Sequence, residues 1–107
     1  MSNFLSLLTT NELVIVPKKL IKFAGLHSTV FLSELIAIQE KSKLILLPVT
    51  LQEIKERTGL SRNYQENARE FLVKKGLIKI IFKGQPPKLY YRINLKKVLP
   101  LIQEEKP

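Results

Sequence analysis

The chain lacks several residue types on which enzyme chemistry most often depends. It contains no cysteine and no aspartate, and its one histidine, His27, is accompanied by nine glutamates scattered along the 107 residues. The absence of cysteine excludes disulfide bonds and thiolate metal sites and is typical of a reducing compartment. A metal site needs converging His, Asp or Cys ligands, and a nucleophile needs a base and a group that orients it. The sequence therefore predicts a protein that is not an enzyme and that uses no cofactor or metal.

Long apolar runs and a secretion signal are also missing. The longest apolar stretches are far shorter than the roughly 20 residues of a membrane span, and residues 1–10 lack the basic flank of a signal peptide. With 45% hydrophobic residues in 107, the chain has the size and composition of one globular domain. These features predict a cytoplasmic, single-domain protein without a membrane partner.

Positive charge, by contrast, is in excess. The chain has 18 lysines and arginines and a formal net charge of +9, with a sequence pI of about 9.9. Such an excess favours a polyanionic partner, because lysine and arginine release counterions from nucleic-acid phosphates. Many basic proteins bind no nucleic acid, so the prediction of a nucleic-acid partner also depends on the order of the elements.

Residue patterns predict an α+β, mostly helical chain. The first half of the chain predicts a strand at residues 13–16, a helix from Pro17 to Gly25, a buried helix from about 27 to 40 and a strand at 44–47. A helix opened by a Thr50–Glu53 capping box and a helix over 62–75 follow. Strands at 77–82 and 89–93 come next, and then a short helix after Asn94 that Pro100 would break. A tight turn between two helices, followed at once by a hairpin, is typical of a winged helix-turn-helix. We expect a flexible N-terminus or edge segment at 1–12, this domain at 13–94, with its extra N-terminal strand and helices, and a short C-terminal helix or tail at 95–107.

Small and apolar residues around the predicted turn favour two crossed helices. Gly59 permits the positive φ that a tight turn between such helices requires. Ile54 and Leu60 would pack on either side of the turn, and Ala68 is small enough to let the helices approach. An αα-hairpin without a role in DNA binding shares much of this pattern. The polar outward face of the second helix favours the DNA-binding interpretation.

The first turns of the helix at 62–75 supply the central candidate DNA contacts. Arg62, Asn63 and Asn67 lie on the outward face, where arginine suits guanine edges and asparagine suits adenine edges. Glu66, on the same face, either accepts from a cytosine amine or repels the phosphate backbone. These residues predict an element that enters the major groove.

Further candidates lie at the start of this helix and along its border. Gln65 and Arg69 lie beside the buried side, either as solvated flank or as additional DNA contacts, whereas Tyr64 is expected to pack. The helix thus provides six candidate DNA-binding residues, namely Ser61, Arg62, Asn63, Gln65, Asn67 and Arg69.

The hairpin loop adds Lys83, Gln85 and Lys88 to the candidate DNA contacts. Pro86 and Pro87 exclude a two-residue turn and predict a longer, stiff loop. A charged surface loop would look similar, but a rigid basic hairpin after a helix-turn-helix is well placed for a phosphate or minor-groove contact. We therefore favour the contact.

Tyr90 and Tyr91 alternate across the second strand, so one is expected in the core and the other outside. For the outer tyrosine, packing is preferred over stacking on single-stranded bases.

Two segments of the chain resemble each other. Residues 20–28 are similar to residues 54–62, so the chain offers two helix-turn-helix-like units. The helix after Gly25 is apolar on most sides and is expected to be buried, so only the second unit can contact DNA. His27 lies at a helix start, where capping or simple exposure is expected.

An apolar stripe follows the hairpin. Leu95, Val98, Leu99 and Ile102 are spaced as one face of a helix. We expect this face to pack on the N-terminal strand and helices or to form a twofold dimer contact.

The chain resembles a known family in several of these segments. Residues 13–36, with Val16-Pro17-Lys18 and Gly25-Leu26-His27, resemble the N-terminal winged-helix domain of DnaD-like replication proteins of Gram-positive bacteria, their phages and plasmids. Residues 59–78 and the hairpin at 83–94 resemble it too, so that the resemblance covers most of residues 13–94. Arg69 departs from the family's usual aliphatic residue. No second helical domain corresponds to the one such initiators often have, so the chain is an excised domain or a stand-alone relative.

The resemblance implies a double-stranded DNA-binding protein in replication initiation of a phage, plasmid or bacterial replicon. Its expected partners are duplex DNA, a second copy in a homodimer, and replication proteins such as a helicase loader. A transcriptional regulator with the same DNA chemistry and a winged-helix interaction or oligomerisation module are the alternatives.

Overall fold

The computed structural model describes residues 17–102. In this range the chain forms five helices and one two-stranded antiparallel sheet, which confirms the predicted α+β, mostly helical class. The elements are α1 (Lys18–Ala24), α2 (Leu26–Ser42), α3 (Leu51–Thr58), α4 (Arg62–Lys74), β1 (Ile78–Lys83), β2 (Lys88–Ile93) and α5 (Leu95–Ile102). The predicted strand at 13–16, the N-terminal segment 1–12 and residues 103–107 lie outside the described residues.

α2 is the central helix, with α1, α3 and α4 packed against it. Phe31, Leu32 and Leu35 are completely buried in its middle turns, as its nearly continuous apolar sequence predicts. The buried carboxylate of Glu34 was not predicted. It pairs with the guanidinium of Arg57 on α3, so an ion pair joins the two helices.

The sheet lies against this helical core through one of its faces. Ile78 pairs with Ile93 and Ile80 with Tyr91, and these four side chains share the inner face. The Tyr91 ring lies edge-on to Phe31 of α2, with the ring centroids 5.7 Å apart. The buried core therefore extends from α2 to the inner face of the hairpin, and α1, α3, α4 and α5 each contribute side chains to it.

The predicted strand at 44–47 is wrong in extent. Only Leu47 pairs with the sheet, exchanging two backbone hydrogen bonds of 2.8 and 2.9 Å with Tyr91. Lys43 ends α2 in the left-handed conformation, with φ 63°. Residues 45 and 46 form a bend, so Leu47 is the one residue of the predicted strand that pairs, and Ile45 is exposed.

α5 packs against α1 and continues through Pro100, which was expected to break it. The missing proline N–H removes one bond from the last turn, and only two helical residues follow, so the disruption is confined to the helix end. Val98 is completely buried, whereas Leu95 and Leu99 of the same stripe remain exposed. The expected packing of this stripe is thus confirmed for Val98.

None of the helices between residues 17 and 102 combines the length and apolarity that a bilayer-spanning segment requires.

Candidate nucleic-acid interface

The turn between α3 and α4 is built as the sequence predicts. Gly59 has φ 81° and ends α3 in the left-handed conformation, and the Thr50–Glu53 capping box opens that helix. Ser61 caps α4, its hydroxyl accepting from the Tyr64 backbone N–H at 3.4 Å. Leu60 is buried between the two caps. These local contacts fix the direction in which α4 leaves the turn.

Gln65 has to be removed from the candidate DNA contacts. Its side chain is 1% exposed, and its Nε2 donates to the carbonyl oxygens of Leu51 and Leu60, each at 2.9 Å. Because Gln65 precedes Ala68 and Leu72 at helical spacing, it lies on the buried side of α4 and not at its border. It fastens α4 to the start of α3 and to the turn, so it positions the outward face and has no access to DNA.

Arg69 is half-buried beside the sheet. Its Nη1 donates to the Tyr91 hydroxyl at 3.3 Å, which links α4 to β2. The flanking position predicted from the sequence therefore faces the hairpin, and the polar partner on Tyr91 explains how an arginine is accommodated where an aliphatic side chain was expected.

The outward face of α4 presents Arg62, Asn63 and Asn67 to solvent. Within residues 17–102 neither asparagine side chain makes a hydrogen bond, so both amides are available to a ligand. Arg62 is engaged instead, its Nε lying 2.8 Å from Oε1 of Glu66 one turn later. Glu66 thus neutralises part of the positive charge at the start of the helix, a contact that helical i, i+4 spacing allows.

Aromatic stacking at the start of α4 was missed by sequence reasoning. The ring of Tyr64 lies on His27 of α2, with centroids 4.0 Å apart and an angle of 20° between planes. The expected exposure of His27 is confirmed, whereas Tyr64 is 49% exposed and its expected packing is limited to this ring contact. No local pattern predicts this pair, because its members are 37 positions apart in the chain.

The charged residues of the hairpin lie beside its loop. Lys83 is the last residue of β1 and Lys88 is the first residue of β2, so the two lysines lie opposite each other, and residues 84–87 form the loop. Gln85 is exposed in this loop, and its peptide bond to Pro86 is cis. The three hairpin candidates are therefore together at one end of the sheet.

An open groove separates α4 from β1. Both charge signs are present along it, since its lining residues are Glu66, Arg69, Glu70, Val73, Lys74 and Ile80. The candidate contacts divide into a helix group, Ser61, Arg62, Asn63 and Asn67, and a hairpin group, Lys83, Gln85 and Lys88. Arg69 lies in the groove between the two groups.

Among the described residues, no group of three or more His, Cys, Asp or Glu side chains is arranged to hold a metal ion. No protein-family model, curated protein or solved structure matches the chain.

Proposed function

We propose that the protein binds double-stranded DNA as a winged helix-turn-helix, with α4 in the major groove and the β1–β2 hairpin as the wing. The observation that most supports this is the pair of exposed, unbonded amides of Asn63 and Asn67 in the first turns of α4. Each asparagine amide offers a donor and an acceptor, which match the N7 acceptor and the N6 donor of an adenine edge.

The construction of α4 supports the same proposal. Its opposite side is held by Gln65, Ala68 and Leu72, so the exposed face is fixed in direction before a ligand binds. The order α3, tight turn, α4, hairpin is that of winged DNA-binding domains, in which the second helix enters the groove. On this proposal the lysines at the hairpin tip contact phosphates.

Replication initiation is the role we favour, and it rests on the resemblance to DnaD-like domains. A transcriptional regulator would use the same interface on different sites. The two roles differ in where the bound sites lie, at a replication origin or at promoters, which mapping of the protein's binding sites would distinguish. The proposed activity requires no catalytic group and no cofactor.

The test is a titration of the full chain with a preferred duplex, selected from a random pool, and with an unselected duplex. Asn63→Ala and Asn67→Ala should each cost about 1–3 kcal/mol on the preferred duplex and little on the unselected one. Equal losses on both duplexes would mean that α4 does not recognise bases. Absence of duplex binding at low salt would contradict the proposal itself.

A further inference from the structure

One face of the hairpin is not used by the core. The side chains of Lys79, Ile81 and Lys83 on β1 alternate with the inner-face residues, and each lies opposite a β2 residue. The cross-strand pairs are Lys79 with Arg92, Ile81 with Tyr90, and Lys83 with Lys88. We call these six residues the outer hairpin face.

Like charges lie directly opposite each other at both ends of this face. Lys79 faces Arg92, and Lys83 faces Lys88, with all four side chains exposed. Directly opposed like charges destabilise a strand pair. Residues 78–93 contain no acidic residue, and no described residue forms an ion pair with any of the four. A face that is charged only for solubility does not need charges of one sign. Lysine–glutamate pairs across the strands would give the same solubility and would also stabilise the hairpin. The arrangement is therefore better explained by an anionic partner.

Between the two cationic pairs lies an aromatic and aliphatic pair. Tyr90 and Ile81 are half-buried, yet neither belongs to the set of side chains that pack on the core. The cationic pairs are four residues apart on each strand, roughly 13 Å at the usual rise per residue. A tyrosine ring midway between two sets of phosphate-binding cations is the combination that proteins use to bind single strands, through base stacking and backbone contacts.

The outer hairpin face also lies on the opposite side of the sheet from α4. Tyr91 reaches Arg69 of α4 from the inner face, and Ile80, also on that face, lines the groove beside α4. A duplex seated on α4 therefore meets the hairpin tip, where Lys83 and Lys88 lie, but not Lys79, Tyr90 or Arg92. These three residues are available to a second nucleic-acid segment.

We propose that the outer hairpin face binds single-stranded DNA by stacking a base on Tyr90 and holding the adjacent phosphates with Lys79 and Arg92. This inference rests on the proposed function in taking DNA as the nucleic acid. It assigns a role to Lys79, Tyr90 and Arg92, which the duplex-binding surface does not include, and it would let the protein hold a duplex and an unpaired strand together.

The first experiment measures the affinity of the full chain for a labelled oligothymidylate by fluorescence anisotropy, together with thermal unfolding. Lys79→Glu should weaken binding about tenfold at low salt, since it opposes the phosphates. The same substitution replaces a like-charge pair with an opposite-charge pair, so the unfolding midpoint should rise by roughly 1–5 °C. Lys41→Glu makes the same change in net charge at the exposed end of α2 and should leave oligothymidylate binding nearly unchanged. Equal losses in the two variants would overturn the proposal.

The second experiment tests stacking with Tyr90→Leu and Tyr90→Phe, which both keep an apolar side chain at this position. Tyr90→Leu should lose about tenfold in oligothymidylate affinity, whereas Tyr90→Phe should retain most of it, because every base stacks on a phenyl ring. If Tyr90→Leu binds as well as the unaltered protein, the face is only an anion-binding surface and the single-strand assignment is wrong.

Parallel titrations with duplex DNA separate this proposal from the duplex-binding one. Lys79→Glu and Tyr90→Leu should leave duplex affinity nearly unchanged, and Asn63→Ala should leave oligothymidylate affinity unchanged. If the hairpin variants weaken binding of duplex and of single strand equally, the outer hairpin face belongs to the duplex interface. The single-strand proposal is then wrong, while the proposed duplex binding stands. If unaltered protein binds oligothymidylate but not duplex, the proposed function fails while the single-strand site stands.

Discussion

Gln65 shows how a single residue can shape a binding surface from the buried side. Its amide nitrogen donates to carbonyl oxygens from α3 and from the turn, while its Oε1 is buried and has no hydrogen-bond partner among the described residues. The fold therefore uses the Nε2 donor of Gln65 and leaves its Oε1 acceptor without a partner in the described part of the chain. The outward asparagines of α4 depend on this contact for their direction, although Gln65 itself lies far from solvent.

We predict that Gln65→Glu destabilises the protein more than Gln65→Leu does. Leucine removes two hydrogen bonds, a loss of about 1–3 kcal/mol. Glutamate brings a buried negative charge against two carbonyl oxygens, which should cost about 3 kcal/mol or more. Urea unfolding monitored by circular dichroism measures both free energies. A Gln65→Leu variant with full stability but weakened duplex binding would instead return Gln65 to the DNA contacts.

The sequence allows Glu66 either to accept a hydrogen bond from a cytosine amine or to repel the phosphate backbone. Its ion pair with Arg62 favours repulsion, because the carboxylate already engages the arginine nearest the start of α4. We predict that Glu66→Gln strengthens duplex binding about two- to tenfold, on preferred and unselected sequences alike, by removing a negative charge from the interface.

The matched control for this change is Glu40→Gln, which removes a similar exposed carboxylate paired with Lys43 at the end of α2. It should not alter duplex affinity. Weaker binding of Glu66→Gln to the preferred sequence alone would mean that Glu66 accepts a hydrogen bond from a cytosine.

At the scale of elements, the sequence predicted what local chemistry determines. The capping box at Thr50, the turn at Gly59 and the cap at Ser61 depend on residues within a few positions, and the structure confirms all three. Three contacts that orient these elements join residues far apart in the chain: Glu34 with Arg57, Arg69 with Tyr91, and His27 with Tyr64. Helical and strand periodicity contains no information about such pairings.

The Glu34–Arg57 pair gives an element-scale prediction. The Glu34 side chain is 2% exposed, so removing its partner leaves a buried carboxylate without compensation. We expect Arg57→Ala to destabilise the protein by about 3 kcal/mol, and Glu34→Gln to cost less because no charge remains buried. In an Arg57→Ala background, Glu34→Gln should recover part of the loss. Denaturant unfolding of the two single variants and the double variant measures this coupling, and additive losses would show that the pair does not join α2 to α3.

For the whole molecule, two surface features bear on its association with other molecules. One is the apolar surface of α5, where Leu95 is 46% and Leu99 is 42% exposed beside the buried Val98. The other is the distribution of charge. Residues 62–102 contain ten lysines and arginines and two glutamates, so the excess positive charge is concentrated in the part of the chain that includes α4 and the hairpin.

The α5 surface predicts self-association through a twofold contact. The unaltered chain should sediment as a dimer at high concentration, and Leu99→Glu should raise the dissociation constant about tenfold or more by placing a charge in an apolar contact. Leu44→Glu, at another exposed leucine, is the matched control and should leave the dimer intact. Sedimentation as a monomer at every concentration would exclude the dimer.

The distribution of charge predicts a steep dependence of duplex binding on salt. Arg62, Lys74, Lys83 and Lys88 are exposed on α4 and at the hairpin tip. If each neutralises one phosphate, about four phosphates are engaged, and the logarithm of the binding constant should fall against the logarithm of salt concentration with a slope of about −3.6. Removing one contact, in Lys83→Ala or Lys88→Ala, should reduce the magnitude of the slope by about 0.9. Lys41→Ala, which removes an equally exposed charge from α2, should leave the slope unchanged, because counterion release depends on local phosphate contacts and not on net charge. Anisotropy titrations of one unselected duplex over a series of salt concentrations give all four slopes. A slope near zero for the unaltered chain, or equal reductions in the three variants, would show that these side chains do not contact the phosphate backbone.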